Sequence, residues 1–160
     1  MDQQDIIKIT TLEKRSPILP IIKVWHNNIE MLFLVDSGSD ICSIDANITD
    51  MLLLEPIEEK LDKISGACGD TNDTFAMYKM PIKIGNEDYN IKVVAVDLSN
   101  LINGLGLRVR GILGSNFLKT HKCIIDYPNE ALYRIQTIPK VEINENGNIC
   151  YEPEGVISES

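Results

Sequence analysis

Apolar positions along this chain fall in short runs separated by polar turn signals. Pro17 to Trp25 reads as a strand, His26-Asn27-Asn28 as a turn, and Ile29 to Val35 as the returning strand. That hairpin delivers Asp36. Ile41 to Ile44 continues as a short buried strand, and Asp45 can N-cap a brief helix over Ala46 to Leu54. Residues 60 to 69 and 74 to 84 read as two strands around a tip rich in Gly and Asp. Gly85-Asn86 then turns the chain into a strand from Tyr89 to Val96, with Ile91, Val93 and Ala95 on one face. Leu98 to Leu107 reads as a loop holding Gly104 and Gly106, and Ser115 to Thr120 as a short helix. Lys122 to Asp126 and Ala131 to Gln136 form a hairpin across Tyr127 to Glu130. Asn146-Gly147 predicts one more hairpin in the tail. Residues 1 to 16 are mixed and polar apart from an apolar group at Ile6 to Ile9. Many short strands, spaced turns and little helix indicate a small closed or folded-over β domain.

Within this pattern one junction carries candidate chemistry. The apolar run Phe33-Leu34-Val35 ends in Asp36-Ser37-Gly38-Ser39-Asp40. A carboxylate where a buried strand leaves the core is costly unless it is hydrogen-bonded or does chemistry. Gly38 allows a tight turn and close backbone approach, and the Ser37 hydroxyl can bond neighbouring backbone and fix the loop. Far downstream stands Arg110-Gly111-Ile112-Leu113-Gly114-Ser115-Asn116-Phe117-Leu118, followed by Cys123-Ile124-Ile125-Asp126-Tyr127.

Taken together, these segments resemble retropepsin-type aspartic proteases, the single-lobe family that includes the retroviral enzymes. The chain is also similar to the retropepsin-like domain of DNA-damage-inducible ubiquitin-shuttle proteins and to bacterial relatives. The resemblance covers roughly residues 17 to 136, between an N-terminal extension (1–16) and an acidic C-terminal extension (137–160). It implies an all-β fold: a small closed retropepsin-like barrel with one or two short helices, homodimeric. Asp36 resembles the catalytic carboxylate, and Ser37 the hydroxyl that interlocks with its mate across the dimer axis. Gly38 and Asp40 match positions that hydrogen-bond substrate main chain. Ile64-Ser65-Gly66-Ala67-Cys68-Gly69 resembles the flap that closes over substrate. Ile112 and Leu113 resemble subsite-wall residues, although as plain core they would look the same. Gly114 would let the backbone pass close beneath the Asp36 loop. Two departures from the family pattern stand out: Ser37 occupies a position where Thr is commoner, and Ser115-Asn116 follows Gly114 without the Arg of retroviral enzymes.

Peptide hydrolysis by carboxylates needs two of them close together, sharing one proton. This chain has a single Asp-Ser/Thr-Gly; Asp70-Thr71-Asn72 fails at its third position. The expectation is therefore a homodimer with one Asp36 from each subunit and an extended peptide or protein as substrate. No cofactor or metal is required. The competing reading is a catalytically silent peptide-binding or dimerisation domain of the same fold. A third is a precursor, inactive until residues 1–16 or the acidic tail are removed.

Composition narrows the field further. A chain of 160 residues with 44% hydrophobic content suits one domain with a real core. A net charge of −9 argues against nucleic acid as a partner. No apolar run is long enough to span a bilayer, and Met1-Asp2-Gln3-Gln4-Asp5 lacks signal-peptide character. A cytoplasmic location without membrane partners is expected. Cys42, Cys68, Cys123 and Cys150 form no C-x-x-C pair and read as reduced thiols. His26 and His121, the only histidines, lack further ligands at metal-site spacing, and Cys68 has no visible base to serve it as a nucleophile.

Overall fold

The computed structural model describes residues 5–16, 18–61, 75–136, 139–143, 145–147 and 149–153. The flap-like stretch Ile64 to Gly69 and Asp70 to Asn72 lie outside them. In chain order come β1 (Ile6–Thr11), β2 (Ile21–His26), β3 (Ile29–Val35) and β4 (Cys42–Asp45). A 3-10 turn (Ala46–Ile48) then runs into α1 (Thr49–Leu52). The chain continues through β5 (Glu55–Leu61), β6 (Phe75–Ile84), β7 (Glu87–Val96), α2 (Ser99–Leu105), β8 (Val109–Leu113) and α3 (Ser115–Thr120). It ends with β9 (Cys123–Asp126), β10 (Ala131–Ile135), β11 (Pro139–Ile143) and β12 (Ile149–Pro153).

Six strands close into a barrel in the order β2-β3-β8-β4-β7-β6, with Trp25 of β2 meeting Lys83 of β6 to complete the ring. β5 adds to β6 outside it. A separate antiparallel sheet runs β1-β10-β9, so part of the polar leader pairs with the closing hairpin. β11 and β12 pair across the Asn146-Gly147 turn, where Gly147 has φ 78°. Among the described residues no helix is long and apolar enough to cross a membrane.

Local chemistry explains the hairpin that carries Asp36. Asn27 and Asn28 both take positive φ, 46° and 68°. A two-residue turn of this hand follows the right-handed strand twist, and Asn tolerates it. The register is then fixed from His26↔Ile29 to Ile21↔Leu34. His26 is buried, with Nδ1 2.7 Å from the Pro81 carbonyl oxygen, which ties β2 to β6.

Two apolar clusters use opposite faces of the barrel strands. The larger fills the interior with Ile22, Phe33, Ile44, Met80, Val93 and Leu113. Gly111 makes room for it: a Cβ there would stand 2.3 Å from Phe33 Cζ. The smaller cluster holds Ile21, Leu34, Val94, Leu98 and Ile112 on the other face. Here the structure departs from the expected loop at 98–107, because residues 99–105 form α2. Leu101, Ile102 and Leu105 pack against the smaller cluster, and Gly106 ends the helix at φ 69°. The spacing of those three residues carried the helical signal; the two glycines masked it.

The second sheet is fastened to the barrel by Ile9 and Leu132, which join the larger cluster, and by charge. Arg134 Nε of β10 lies 2.9 and 3.0 Å from the two Glu87 carboxylate oxygens of β7, and the Tyr89 hydroxyl donates to the same carboxylate. Burial pushes the Glu87 carboxyl upward, but the Tyr89 and Arg134 contacts outweigh it and hold the group below the usual carboxylate range. A lowered native value means that the stabilisation is full above the value of the unfolded chain and is lost as pH falls through the native one. Glu87→Gln should therefore cost ~1–2 kcal/mol at neutral pH. In urea unfolding from about pH 6 to about pH 3 the gap to wild type should narrow. A gap independent of pH would contradict this.

Candidate active site

β3 is buried from Met31 to Val35, and its parallel neighbour β8 stays in register to Val35↔Leu113. The pairing continues one step further, since the Asp36 N–H donates to the Leu113 carbonyl at 2.9 Å. Asp36 thus leaves the barrel with its backbone still held while its side chain is half-buried. The chain then turns: the Ser39 N–H donates to the Asp36 carbonyl at 3.2 Å.

Each Asp36 carboxylate oxygen receives a hydrogen bond from this loop. The Gly38 N–H donates to Oδ1 at 2.9 Å and the Ser39 hydroxyl to Oδ2 at 2.8 Å. Such bonds fix the plane of the carboxylate and offset its partial desolvation. The hydroxyl that anchors the loop is therefore that of Ser39, which is buried, and not that of Ser37. Ser37 and Asp40 are exposed on the same loop, beside Gly38.

The floor of the site is β8 turning into α3. Ser115 N–H donates to the Ser39 carbonyl at 2.6 Å and Asn116 N–H to the Asp40 carbonyl at 3.2 Å. Between these contacts Gly114 passes under Ile41. A Cβ on Gly114 would stand 2.3 Å from the Ile41 oxygen and 2.6 Å from its carbonyl carbon. Gly114 has φ −87°, an ordinary value, so space and not backbone conformation demands glycine. Ser115 holds the position directly after Gly114, where retroviral enzymes carry Arg, and Asn116 comes next. Asn116 Oδ1 accepts from the Phe117 N–H at 2.7 Å and from the Cys42 thiol at 3.6 Å. It joins α3 to β4 below the loop, a role that no sequence signal marked.

Ile112 is buried in the smaller cluster and Leu113 in the barrel core, so within one chain both side chains are packed away from solvent. Cys42 and Cys123 carry free thiols, each pushed up to about 11, chiefly by burial, which keeps them protonated and unreactive. His121 packs its ring against Tyr89 and Phe117, with centroids 4.8 and 4.5 Å away.

This close fit has a direct consequence. Gly114→Ala should force the Ile41 backbone and the Asp36 loop apart, costing ~2 kcal/mol or more in chemical denaturation. Gly104→Ala, whose Cβ meets nothing within 4 Å, should cost far less. Equal effects would refute the close-approach argument.

A family model described as aspartyl protease matches residues 22–117, from β2 into α3. The fold is similar to the retroviral protease-like domain of Ddi1 from Leishmania major, with TM-score 0.50 and 15% identity over 87% of this chain and 97% of that one. It is likewise similar to a retropepsin-like aspartic protease from Rickettsia conorii, with TM-score 0.50 and 19% identity over 80% of this chain and 86% of that one. No curated protein matches the sequence. With its retropepsin-like barrel and its Asp36-Ser37-Gly38 loop set on β8 and α3, the chain belongs to the aspartyl protease family.

Proposed function

We propose that the protein is an aspartic endopeptidase whose active site forms between two copies of the chain, each supplying Asp36. The observation that carries this reading is the half-buried Asp36 carboxylate, oriented through both oxygens by Gly38 and Ser39 in an aspartyl protease family member that holds one such loop. One loop is half of the machinery.

In the assembled site the two carboxylates share one proton. The ionised one takes a proton from the attacking water, while the protonated one hydrogen-bonds the scissile carbonyl oxygen and stabilises the tetrahedral intermediate. Proton transfer to the amide nitrogen then expels the amine. Exposed Ser37 is available to a hydroxyl contact across the two-fold axis, and Gly38 and Asp40 to the main chain of an extended peptide. Residues 64–69 are the candidate flap, and apolar side chains are favoured beside the scissile bond. A second copy also has an edge to meet. β9 is an outer strand of its sheet, and Cys123, Ile124, Ile125 and Asp126 are all half-buried. An apolar edge of this kind is a liability unless it is covered.

The test is cleavage of a mixed peptide library, read by mass spectrometry from about pH 4 to about pH 7, with Asp36→Asn beside wild type. Cuts by wild type that fall at least ~10³-fold in Asp36→Asn are expected. A confirmed dimer that cuts nothing would overturn the enzyme reading in favour of a silent peptide-binding domain.

A further inference from the structure

We propose that a cleft between the starts of β3 and β8, remote from Asp36, docks an extended acidic segment of a partner protein. The cleft has a volume of about 550 Å³ and is bordered by Arg15, Arg108 and Arg110. These are three of the four arginines in a chain of net charge −9. Glu13 and Asp45 each pair with one of them and Glu30 at the border pairs with Lys23, which leaves Arg108 as the uncompensated charge, with the outer faces of the other two guanidinium groups beside it. Along β3 the cleft is lined from Ile29 to Leu32, so its nearest residue on that strand stands four before Asp36, or ~13 Å along a strand. It lies well away from the Asp36 loop.

Two features prepare the arginines for carboxylates. β8 carries a bulge: Leu32 pairs with Val109 but Phe33 with Gly111, leaving Arg110 as the extra residue. Bulges re-aim side chains, often beside sites. Arg110 Nη1 is held 2.7 Å from Asp45 Oδ2, and that carboxylate is fully buried and also accepts from Asn47 Nδ2 at 2.8 Å. The guanidinium is thereby fixed while 29% of the Arg110 side chain remains exposed to the cleft. Arg108 is exposed and makes no ion pair or hydrogen bond among the described residues. Arg15 is itself exposed and is paired with its near neighbour Glu13, whose side chain is largely buried. A planar guanidinium binds carboxylate in bidentate fashion, so an arginine cluster is better suited to this than lysines.

The floor selects the rest of the ligand. Met31, Leu32, Ile48 and Leu107 line it, and Met51 stands 63% exposed at its border. A small inorganic anion would leave that apolar surface unused. A polynucleotide would set its charged backbone, not apolar side chains, against that floor. An extended peptide alternating acidic and apolar side chains satisfies both the rim and the floor.

The test is fluorescence anisotropy with a dye-labelled peptide alternating Glu and Leu, against the same peptide with Gln for Glu, all in Asp36→Asn protein so that no probe is cut. The Glu peptide should bind at least ~10-fold more tightly than the Gln peptide, and less so as salt rises. Arg15→Ala combined with Arg108→Ala should lose about 10-fold, with Arg108→Ala alone, which frees no partner, as the control for the Glu13 carboxylate that Arg15 holds. Arg110 is left intact because its removal would strand Asp45. Equal binding of the two peptides would overturn the proposal. Binding unaffected by the double variant would do the same, and so would tighter arginine-dependent binding of a single-stranded oligonucleotide or of anionic lipid vesicles.

Discussion

The parallel pairing of β3 with β8 is the constraint on which the site rests. Because the two strands end together at Val35 and Leu113, the chain leaving β3 and the chain leaving β8 must share one small volume. The first becomes the Asp36 loop and the second becomes Gly114 and α3. Three backbone hydrogen bonds join them: Asp36 to Leu113, Ser115 to Ser39 and Asn116 to Asp40. The loop is therefore held by regular main-chain pairing at one end and by a helix start at the other. Its carboxylate is oriented before any partner or substrate arrives, which is the arrangement expected of a preorganised catalytic group.

The same economy of space explains the glycines around it. Gly111 yields to the Phe33 ring in the core and Gly114 yields to the Ile41 backbone above. One five-residue stretch of β8 and its exit thus sets both the packing of the barrel and the height of the loop. Closure of the barrel between β2 and β6 then keeps β3 from sliding against β8. Outside the barrel the contacts are ionic as well as apolar, with Glu87 and Arg134 joining the β1-β10-β9 sheet to β7.

Much of this was legible in the sequence where the determinants are local. The Asn27-Asn28 turn, the strand into Asp36, the Asp45 cap, α3 and the hairpin over 123–135 follow from residue patterns within a few positions. What escaped was set by distant partners. Residues 6–11 read as part of a polar leader, yet β1 takes its place from β10 more than a hundred residues on. Asp45 read as a helix cap, which it is, but its partner Arg110 lies 65 residues away and the pair is hidden from any local window. Ser37 and Ser39 are equivalent as sequence; only the turn geometry decides that Ser39 reaches the Asp36 oxygen. α2 was lost to its glycines, and its stability comes from the smaller apolar cluster rather than from propensity.

In the proposed enzyme, catalysis needs an Asp36 from each of two chains. This requirement is tested most directly by mixing wild-type and Asp36→Asn chains at fixed total concentration, allowing subunit exchange, and measuring peptide cleavage against the wild-type fraction. A site shared between two subunits predicts activity that follows the square of that fraction, because every mixed dimer is dead. Activity proportional to the fraction itself would show that each chain works alone and would contradict the claim.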